Sequence, residues 1–431
     1  MASPSPPNDK KPQSSPRKGL HTWLDDVRIA DQEYRFLAAH DDALDTARLL
    51  NAAMHPHRSL SGFKIGLKDN IAIAGVRMAA GLAARADSVA DQDAVIVERL
   101  RNTGACILPR LNMDEAAFGA TAANPHYRTS LNPLEKTRSP GGSSGGAAVG
   151  VAAHILDAAF GTDTLGSIRI PASYCGLVGF KPSQGLIPDV GVFPLAPRFD
   201  TPGLLAHSVE TIITVLKACD FLQNEPSYQS LKPLSELRIA IPTQITEIGC
   251  EKTVQNRFDS VITMLSAVGA RAEMVAIDQW QPKHLRHAAL LMVEVEACRS
   301  LADYRGQSSQ LSPKLAAALN YGERSSAENK LKAMNQLDTA RHTFSRLFDE
   351  FDAIVTPTTP QTAFLHNIQA PVNQADFTVI ANIIGAPALA LPINDRGGDL
   401  PSSMQILVKP GNDNFLLVTG MAIEKLLSEY F

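Results

Sequence analysis

Two serines and a lysine, far apart along the chain, are the residues whose types and surroundings best suit chemistry. Ser167 lies in the segment GTDTLGSIRIP, directly after Thr164, Leu165 and Gly166. We expect the backbone N–H groups of residues 164–167 to turn toward one point, where they would stabilise an oxyanion developing on a carbonyl group. A serine at the end of such a loop is placed to attack that carbonyl, provided that a base removes its proton.

Lysine is the candidate for that base, because none of the eleven histidines accompanies Ser167 in a recognisable pattern. A lysine amine accepts a proton when burial lowers its pKa enough to keep it neutral. Lys68 stands at the C-terminal end of a predicted strand and is the candidate base. Ser143, in the segment SPGGSSGGAA, is the candidate to relay a proton between Lys68 and Ser167, and the adjacent Ser144 is the fallback for this role.

The Gly-rich segments of the chain do not indicate a phosphate or dinucleotide site. No lysine follows GGSSGG as the P-loop pattern requires, and the pattern GxGxxG is absent. The letters GGSSG do match the G-x-S-x-G of a nucleophile elbow, but that motif follows a strand directly. The preceding residues, NPLEKTRSP, contain prolines that a central strand excludes. We therefore read this match as a chance one.

The elements that must position these residues alternate between strand and helix. A half-buried strand pattern around Phe63–Leu67 ends at Lys68, a helix is predicted between Asp91 and Gly104, and Ala105–Leu108 returns as a strand. This rhythm predicts a parallel or mixed sheet covered by helices. The same patterns elsewhere predict strands at 237–241, 351–355, 388–391 and 404–408 and helices around 24–50, 208–219, 253–268, 283–303, 326–349, 377–384 and 415–427.

Composition limits the class of protein. The 431 residues are 45% hydrophobic and 19% charged, with a formal net charge of −4. These values exclude a disordered chain and argue against a dedicated nucleic-acid binder, and no apolar stretch has the length of a membrane span. Five widely spaced cysteines and the absence of an N-terminal apolar segment predict a cytoplasmic protein. Residues 1–19, rich in Pro and Ser, are predicted to be a disordered tail, and length alone predicts about three domains.

Three segments, taken in order, give the chain a family resemblance. GLKDN at 66–70, SPGGSSGGAA at 139–148 and GTDTLGSIRIPASYCGLVGFKPSQG at 161–185 resemble the amidase signature family. The resemblance is dense over about 60–205 and returns over 350–425. It implies an α/β fold in which residues 20–431 form one large domain, with a twisted mixed β-sheet between helical layers. This expectation replaces the three domains predicted from length.

The resemblance also implies roles for the three residues. Ser167 would be the acyl nucleophile, Ser143 a bridging serine after a cis peptide bond, and Lys68 the general base. The activity implied is cleavage of a carboxylic amide through an acyl-enzyme intermediate, with no metal or organic cofactor. The family commonly has glycine where this chain has Leu165. Because the oxyanion site would consist of main-chain N–H groups, we expect the chemistry to survive this difference, and we expect the Leu165 side chain to narrow the substrate pocket. Asp163 and Arg169 are expected to hold the Gly-rich loops.

Two other functions remain open at this stage. The chain could be the glutaminase-type subunit of an aminoacyl-tRNA amidotransferase, or a non-catalytic member that keeps the fold for binding. The expected partner is a small-molecule amide, with no direct contact to nucleic acid or membrane, and a homodimer is left open. Apolar loops near Met113–Phe118 and Val192–Phe199 favour a substrate with an apolar group.

Overall fold

A computed structural model describes residues 16–51, 58–222, 232–278, 280–304, 310–394 and 400–431. Most of the predicted N-terminal tail, residues 1–15, lies outside the described residues. The first helix begins at Pro16, so residues 16–19, which the composition placed in the tail, are helical. Within the described ranges, no helix combines the length and the hydropathy that a membrane crossing requires.

One mixed sheet of ten strands organises the described chain. The strands are β1 (Lys64–Lys68), β2 (Cys106–Leu111), β3 (Ala158–Asp163), β4 (Val178–Lys181), β5 (Thr201–Ala206), β6 (Arg238–Pro242), β7 (Arg271–Val275), β8 (Ala353–Pro357), β9 (Ala388–Ile393) and β10 (Ser402–Leu407). Their order across the sheet is β2-β1-β3-β5-β4-β9-β10-β8-β6-β7. Pairs at the two ends of the sheet are parallel, and the ladder from β3 to β8 through its centre is antiparallel.

Helices cover both faces of this sheet. The helices are α1 (Pro16–Tyr34), α2 (His40–Leu50), α3 (Val95–Arg101), α4 (Gly145–Ala152), α5 (Arg169–Cys175), α6 (Val209–Ala218), α7 (Lys252–Ala267), α8 (Pro282–Ser300), α9 (Pro313–Arg324), α10 (Ala327–Glu350), α11 (Val379–Ile383) and α12 (Asp413–Tyr430). Helices α3, α6, α7 and α12 pack on one face, and the remaining helices form two clusters on the other. The result is the single α/β domain with a helix-covered mixed sheet that the family resemblance implies.

The sequence patterns located most of the peripheral elements and missed several central ones. Ser208 caps α6 as predicted, since its hydroxyl accepts a hydrogen bond from the Thr211 N–H. The helix predicted to start at Asp91 begins at Val95 instead, and Ala94 is its N-cap residue. Strands β3, β4, β5 and β7 and helices α4, α5 and α9 were not predicted. Residues of β3, β4 and β5 are buried on both faces, so they lack the polar–apolar alternation that marks a strand in sequence.

The first turn of α4 lies directly against the backbone at the end of β2. The Gly146 N–H donates a hydrogen bond to the Asn112 carbonyl at 2.9 Å. A Cβ atom at Gly146 would lie 2.4 Å from the Asn112 nitrogen and 2.5 Å from the Phe36 carbonyl oxygen. Both are backbone atoms that cannot move aside as a side chain can. A glycine is therefore required for α4 to approach this edge of the sheet.

We expect the Gly146→Ala variant to lose about 1–3 kcal/mol of its free energy of unfolding, because the added methyl group overpacks fixed backbone. Chemical denaturation followed by circular dichroism measures this loss. Gly249→Ala is the matched control, since a Cβ there meets no atom within 4 Å, and it should change stability by less than about 0.5 kcal/mol. Equal stabilities of the two variants would contradict the close approach.

Candidate active site

Lys68 lies at the end of β1, beside the end of β3. These two strands are parallel neighbours, so their C-terminal ends meet at the same edge of the sheet. The Lys68 side chain is fully buried. Its Nζ atom lies 2.7 Å from the Ser143 Oγ and 2.9 Å from the Thr162 Oγ1. The lysine and the first serine, 75 residues apart in sequence, are therefore in direct hydrogen-bonding contact.

Burial lowers the pKa of Lys68 to about 7, although the carboxylates of Asp114, Asp200 and Asp163 oppose this shift. At such a pKa a substantial fraction of the amine is neutral near pH 7 and can accept a proton. Lys181 is also buried and its pKa is lowered to about 7. Its Nζ atom, however, donates to the Pro182 carbonyl. The contact with a serine hydroxyl, rather than burial alone, thus distinguishes Lys68 as the candidate base.

Ser143, and not its neighbour Ser144, is the serine that contacts Lys68. The peptide bond between Gly142 and Ser143 is cis, as the resemblance implied. The Ser144 hydroxyl instead bonds the backbone of Thr162, donating to its carbonyl at 3.2 Å and accepting from its N–H at 3.4 Å. Ser144 therefore ties the Gly-rich loop to β3, and the hydroxyl of Ser143 is left facing the lysine.

Ser167 lies in the turn before α5 and lines the largest cavity near this cluster. Its carbonyl accepts a hydrogen bond from the Ser144 N–H at 3.1 Å, which joins the two serine-bearing loops. In the described part of the chain, no hydrogen bond joins the Ser143 hydroxyl to the Ser167 hydroxyl. A proton relay from Ser167 to Lys68 therefore requires rotation of a serine side chain, which is common when no substrate is bound.

Gly166 differs from its neighbours in the predicted oxyanion loop. Its N–H donates to the Asp163 carboxylate at 2.8 Å. Its φ of +128° belongs to a region that favours glycine, and a Cβ there would lie 2.3 Å from the Thr378 Oγ1. The one hydrogen of this amide is thus already committed to a side chain of the protein.

The other members of the predicted loop face the substrate cavity. Thr164, Leu165 and Ser167 all line it, whereas Gly166 does not. The Leu165 carbonyl accepts a hydrogen bond from the Thr378 hydroxyl at 2.6 Å, which fixes the loop against α11. The Leu165 side chain forms part of the cavity wall, where we expected it to narrow the pocket.

A buried ion pair holds this loop in place. Arg169 donates to both carboxylate oxygens of Asp163, at 2.9 and 3.0 Å, and both side chains are fully buried. Burial alone would raise the pKa of Asp163, but the adjacent Arg169 guanidinium, together with other hydrogen bonds and charges, has the larger opposite effect, and the resulting pKa is about 2. Arg169 also donates to the side chains of Asn382 and Gln405. This fully bonded network performs the structural role predicted for Asp163 and Arg169.

A second carboxylate anchors the opposite side of the loop. Asp200 accepts from the Thr164 hydroxyl at 2.7 Å and from the N–H groups of Leu195 and Ala196 at 2.8 and 2.9 Å. Burial raises the pKa of Asp200. Because these contacts tie residues 195–200 to the end of β3, the wall of the cavity is fixed relative to Ser167.

The cavity has a volume of about 680 Å³ and a mostly apolar lining. Ala117, Phe118 and Leu195 come from the two loops that the sequence indicated. Helix α8 supplies Arg286, His287, Leu290 and Val293. The sequence patterns predicted a helix here and no site residue, and the structure shows that this helix forms part of the cavity wall.

Sequence reasoning missed four polar residues of this site. Thr162 accepts hydrogen bonds from Lys68 and, at 3.2 Å, from the Asn70 amide. Asp114 accepts from the Thr121 hydroxyl and the Ala122 N–H, and its own N–H donates to the Ser143 carbonyl. Asn70 and Thr162 lie inside motifs that we quoted, adjacent to charged residues. Asp114 lies in the apolar loop Met113–Phe118, which the sequence indicated for its apolar residues and not for this carboxylate, and no signal in the sequence pointed to Asp200.

Comparison with known proteins places these features in a family. The Amidase family model matches residues 20–417. A glutamyl-tRNA(Gln) amidotransferase subunit of Moorella thermoacetica is 32% identical, over 89% of this chain and 87% of the relative. The corresponding protein of an Exiguobacterium species is 30% identical, over 92% and 90%. A solved amidase structure is 27% identical, with a TM-score of 0.83 and 96% of each chain covered.

The family match spans nearly the whole chain, and the relatives found carry amidase and amidotransferase names. With its helix-covered mixed sheet and its buried lysine–serine contact, this chain belongs to the amidase signature family.

Proposed function

We propose that this chain is an amidohydrolase that cleaves the C–N bond of a carboxylic amide through Lys68, Ser143 and Ser167. The observation that carries the proposal is the 2.7 Å contact between the Lys68 Nζ and the Ser143 Oγ in a buried site. Ser167 lies beside this contact and lines a cavity large enough for a small-molecule amide. The substrate carbonyl would enter that cavity and meet the Ser167 hydroxyl.

The first half of the reaction forms an acyl-enzyme. Neutral Lys68 accepts the Ser143 proton, and Ser143 accepts the Ser167 proton as the Ser167 oxygen attacks the carbonyl carbon. The new C–O bond makes a tetrahedral oxyanion. Its collapse breaks the C–N bond, and the proton held by Lys68 passes back through Ser143 to the leaving nitrogen. Ammonia or an amine departs, and the acyl group remains on Ser167.

Backbone N–H groups stabilise the oxyanion in this mechanism. Of the four amides predicted from the sequence, that of Gly166 is bonded to Asp163, so the proposal assigns the role to Thr164, Leu165 and Ser167. A donor of this kind contributes about 3–4 kcal/mol of transition-state stabilisation. In the second half, water loses a proton along the same path to Lys68 and attacks the acyl carbon. The bond between that carbon and the Ser167 oxygen then breaks, the proton returns through Ser143 to the Ser167 oxygen, and the carboxylic acid departs.

A second candidate function is the glutaminase-type subunit of an aminoacyl-tRNA amidotransferase. The observation in its favour is that the relatives above carry an amidotransferase name and match over about nine tenths of their length. The chemistry at Ser167 would be the same, with glutamine as the amide and ammonia passed to a partner protein. Stable co-purification of partner subunits, together with hydrolysis restricted to glutamine, would favour this function. A monomer or homodimer active on other amides would favour the stand-alone enzyme.

A cytoplasmic location remains part of the proposal. All five cysteines are unpaired, and Cys106, Cys175 and Cys219 are buried. Free thiols are typical of proteins in a reducing compartment.

Removal of the nucleophile should abolish turnover. We expect Ser167→Ala to lower kcat by about 10⁴-fold or more and Lys68→Ala by on the order of 10³-fold, since the nucleophile and its base act as a unit. Ammonia release from a panel of amides measures both.

A fluorophosphonate probe should label the unmodified protein and not Ser167→Ala. Ser260→Ala is the control, because it removes a half-buried hydroxyl on α7 that bonds the Asn256 carbonyl of the same helix and does not line the cavity. Full activity of purified Ser167→Ala, or an unmodified protein that the probe does not label, would contradict the assignment.

The two adjacent serines should respond differently to substitution. Ser143→Ala removes the hydroxyl in contact with Lys68 and should lower kcat by about 10²-fold or more, as loss of a positioned proton-transfer group does. Ser144→Ala removes two hydrogen bonds to Thr162 and should mainly lower the unfolding free energy, by about 1–3 kcal/mol. Parallel kinetics and thermal unfolding of both variants test this. A larger kinetic loss in Ser144→Ala would exchange their roles.

The activity should depend on pH through Lys68. Burial lowers the pKa of its amine to about 7, and the base must be neutral to accept a proton. We therefore expect log kcat/KM to rise with a slope near 1 below about pH 7 and to level off above it. The residual activity of Lys68→Ala should lack this rise. An unmodified enzyme with a flat profile from about pH 5.5 to about 8.5 would show that Lys68 is not the titrating base.

A further inference from the structure

Positive charge is concentrated in one part of the otherwise apolar substrate cavity. Arg286 at the start of α8 and Lys314 at the start of α9 both line it. His287 beside them is a neutral hydrogen-bonding group near pH 7, because partial burial and the neighbouring cations lower the pKa of its imidazole. Among the described residues that line this cavity, none is acidic. A cavity whose mostly apolar lining includes cationic side chains and no carboxylate favours a ligand that carries an anion.

Arg286 is oriented by a carboxylate behind the cavity wall. Its Nε atom donates to the Asp376 Oδ1, and both side chains are largely buried, at 9% and 7% exposure. Its two terminal nitrogens have no hydrogen-bond partner within the described part of the chain. A guanidinium held at Nε presents the remaining edge in the planar geometry that binds both oxygens of a carboxylate.

We propose that Arg286, supported by Lys314 and His287, binds a carboxylate on the substrate, which makes the substrate class amides that carry a second, anionic carboxyl group. This inference rests on the proposed amidohydrolase function and specifies its substrate. Ser167 would hold the amide carbonyl, and the apolar side chains of Phe118, Leu165, Ile170, Leu195, Leu290 and Val293, all lining the cavity, would contact an apolar chain between the two groups. Monoamides of dicarboxylic acids have this chemistry.

The same lining argues against free glutamine as the preferred substrate. Glutamine carries an ammonium group beside its carboxylate, and an anionic partner stabilises such a group where it is partly removed from water. Asp376 is bonded to Arg286 and is not among the residues that line the cavity. A monoamide that lacks an ammonium group therefore matches the charges better.

The test compares kcat/KM for three amides: adipamate, which is anionic, hexanamide, its neutral counterpart of equal length, and glutamine. We expect a preference for adipamate over hexanamide of about 10- to 100-fold, the range for a hydrogen bond to a charged group. Arg286→Gln should reduce this ratio by at least about 10-fold, mainly through KM, and Lys314→Met should reduce it less. Lys332→Met removes an equal charge from the exposed face of α10, outside the cavity, and should keep the ratio.

A double variant controls for loss of folding, and a binding measurement tests the carboxylate subsite independently of turnover. Arg286→Gln leaves Asp376 unpaired, so the double variant Arg286→Gln/Asp376→Asn restores a neutral pair, and its unfolding midpoint is compared with that of the unmodified protein. Calorimetric binding of adipate to Ser167→Ala, with and without Arg286→Gln, tests the subsite without turnover. Loss of adipate affinity in the folded double variant would support the subsite.

The outcomes separate this inference from the proposed function. Ser167-dependent hydrolysis of hexanamide with no preference for adipamate, or a ratio that Arg286→Gln leaves unchanged, would overturn the carboxylate subsite and keep the amidohydrolase. Glutamine as the best of the three amides would overturn the substrate class. Adipate binding with no Ser167-dependent hydrolysis of any amide would support the subsite and contradict the amidohydrolase.

Discussion

The buried contact between the Lys68 amine and the Ser143 hydroxyl is the interaction on which the rest of the structure depends. An amine removed from water keeps a positive charge only at a cost in free energy, so its pKa falls to about 7. The same burial would leave the amine without partners if Ser143 and Thr162 did not surround it. The surrounding strands and loops exclude water from this amine and hold it in hydrogen-bonding contact with the two hydroxyl groups.

The sheet supplies that environment through its topology. Parallel pairing of β1 with β3 brings the end of one strand, Lys68, to the start of the loop that bears Ser167. The small residues of α4 allow the Ser143 loop to pack on the same edge, with Gly146 against the backbone of Asn112. Two buried carboxylates, Asp163 and Asp200, then fix the loop by hydrogen bonds to its backbone and side chains.

Different parts of the chain line the cavity, and in the proposed enzyme some would carry out the reaction while others would bind the rest of the substrate. The segments about 60–205 hold the lysine, the serines and the backbone amides, which any amide would meet. Helices α8 and α9 add Arg286 and Lys314 to the cavity wall, where they would contact the part of the substrate that is remote from its amide group. In the proposed enzyme, the candidate carboxylate-binding side chains therefore come from a different stretch of sequence than Lys68 and the two serines, whereas Phe118 and Leu165 place part of the apolar wall within the segments about 60–205.

The sequence by itself determined the fold class and the candidate catalytic residues Lys68, Ser143 and Ser167, because short motifs in fixed order carry this information locally. It left open which serine contacts the lysine, and it did not reveal the contacts of Asp114 and Asp200. It also gave no sign that Gly166 donates its amide to Asp163, or that Arg286 reaches the cavity. The tertiary structure decides the distant contacts, because Lys68–Ser143, Thr164–Asp200 and Arg286–Asp376 are 36 to 90 positions apart and depend on how strands and helices pack, which local sequence does not record. The Gly166–Asp163 contact spans only three positions, but it depends on a loop conformation that the buried Asp163–Arg169 pair and the contact with Thr378 hold in place.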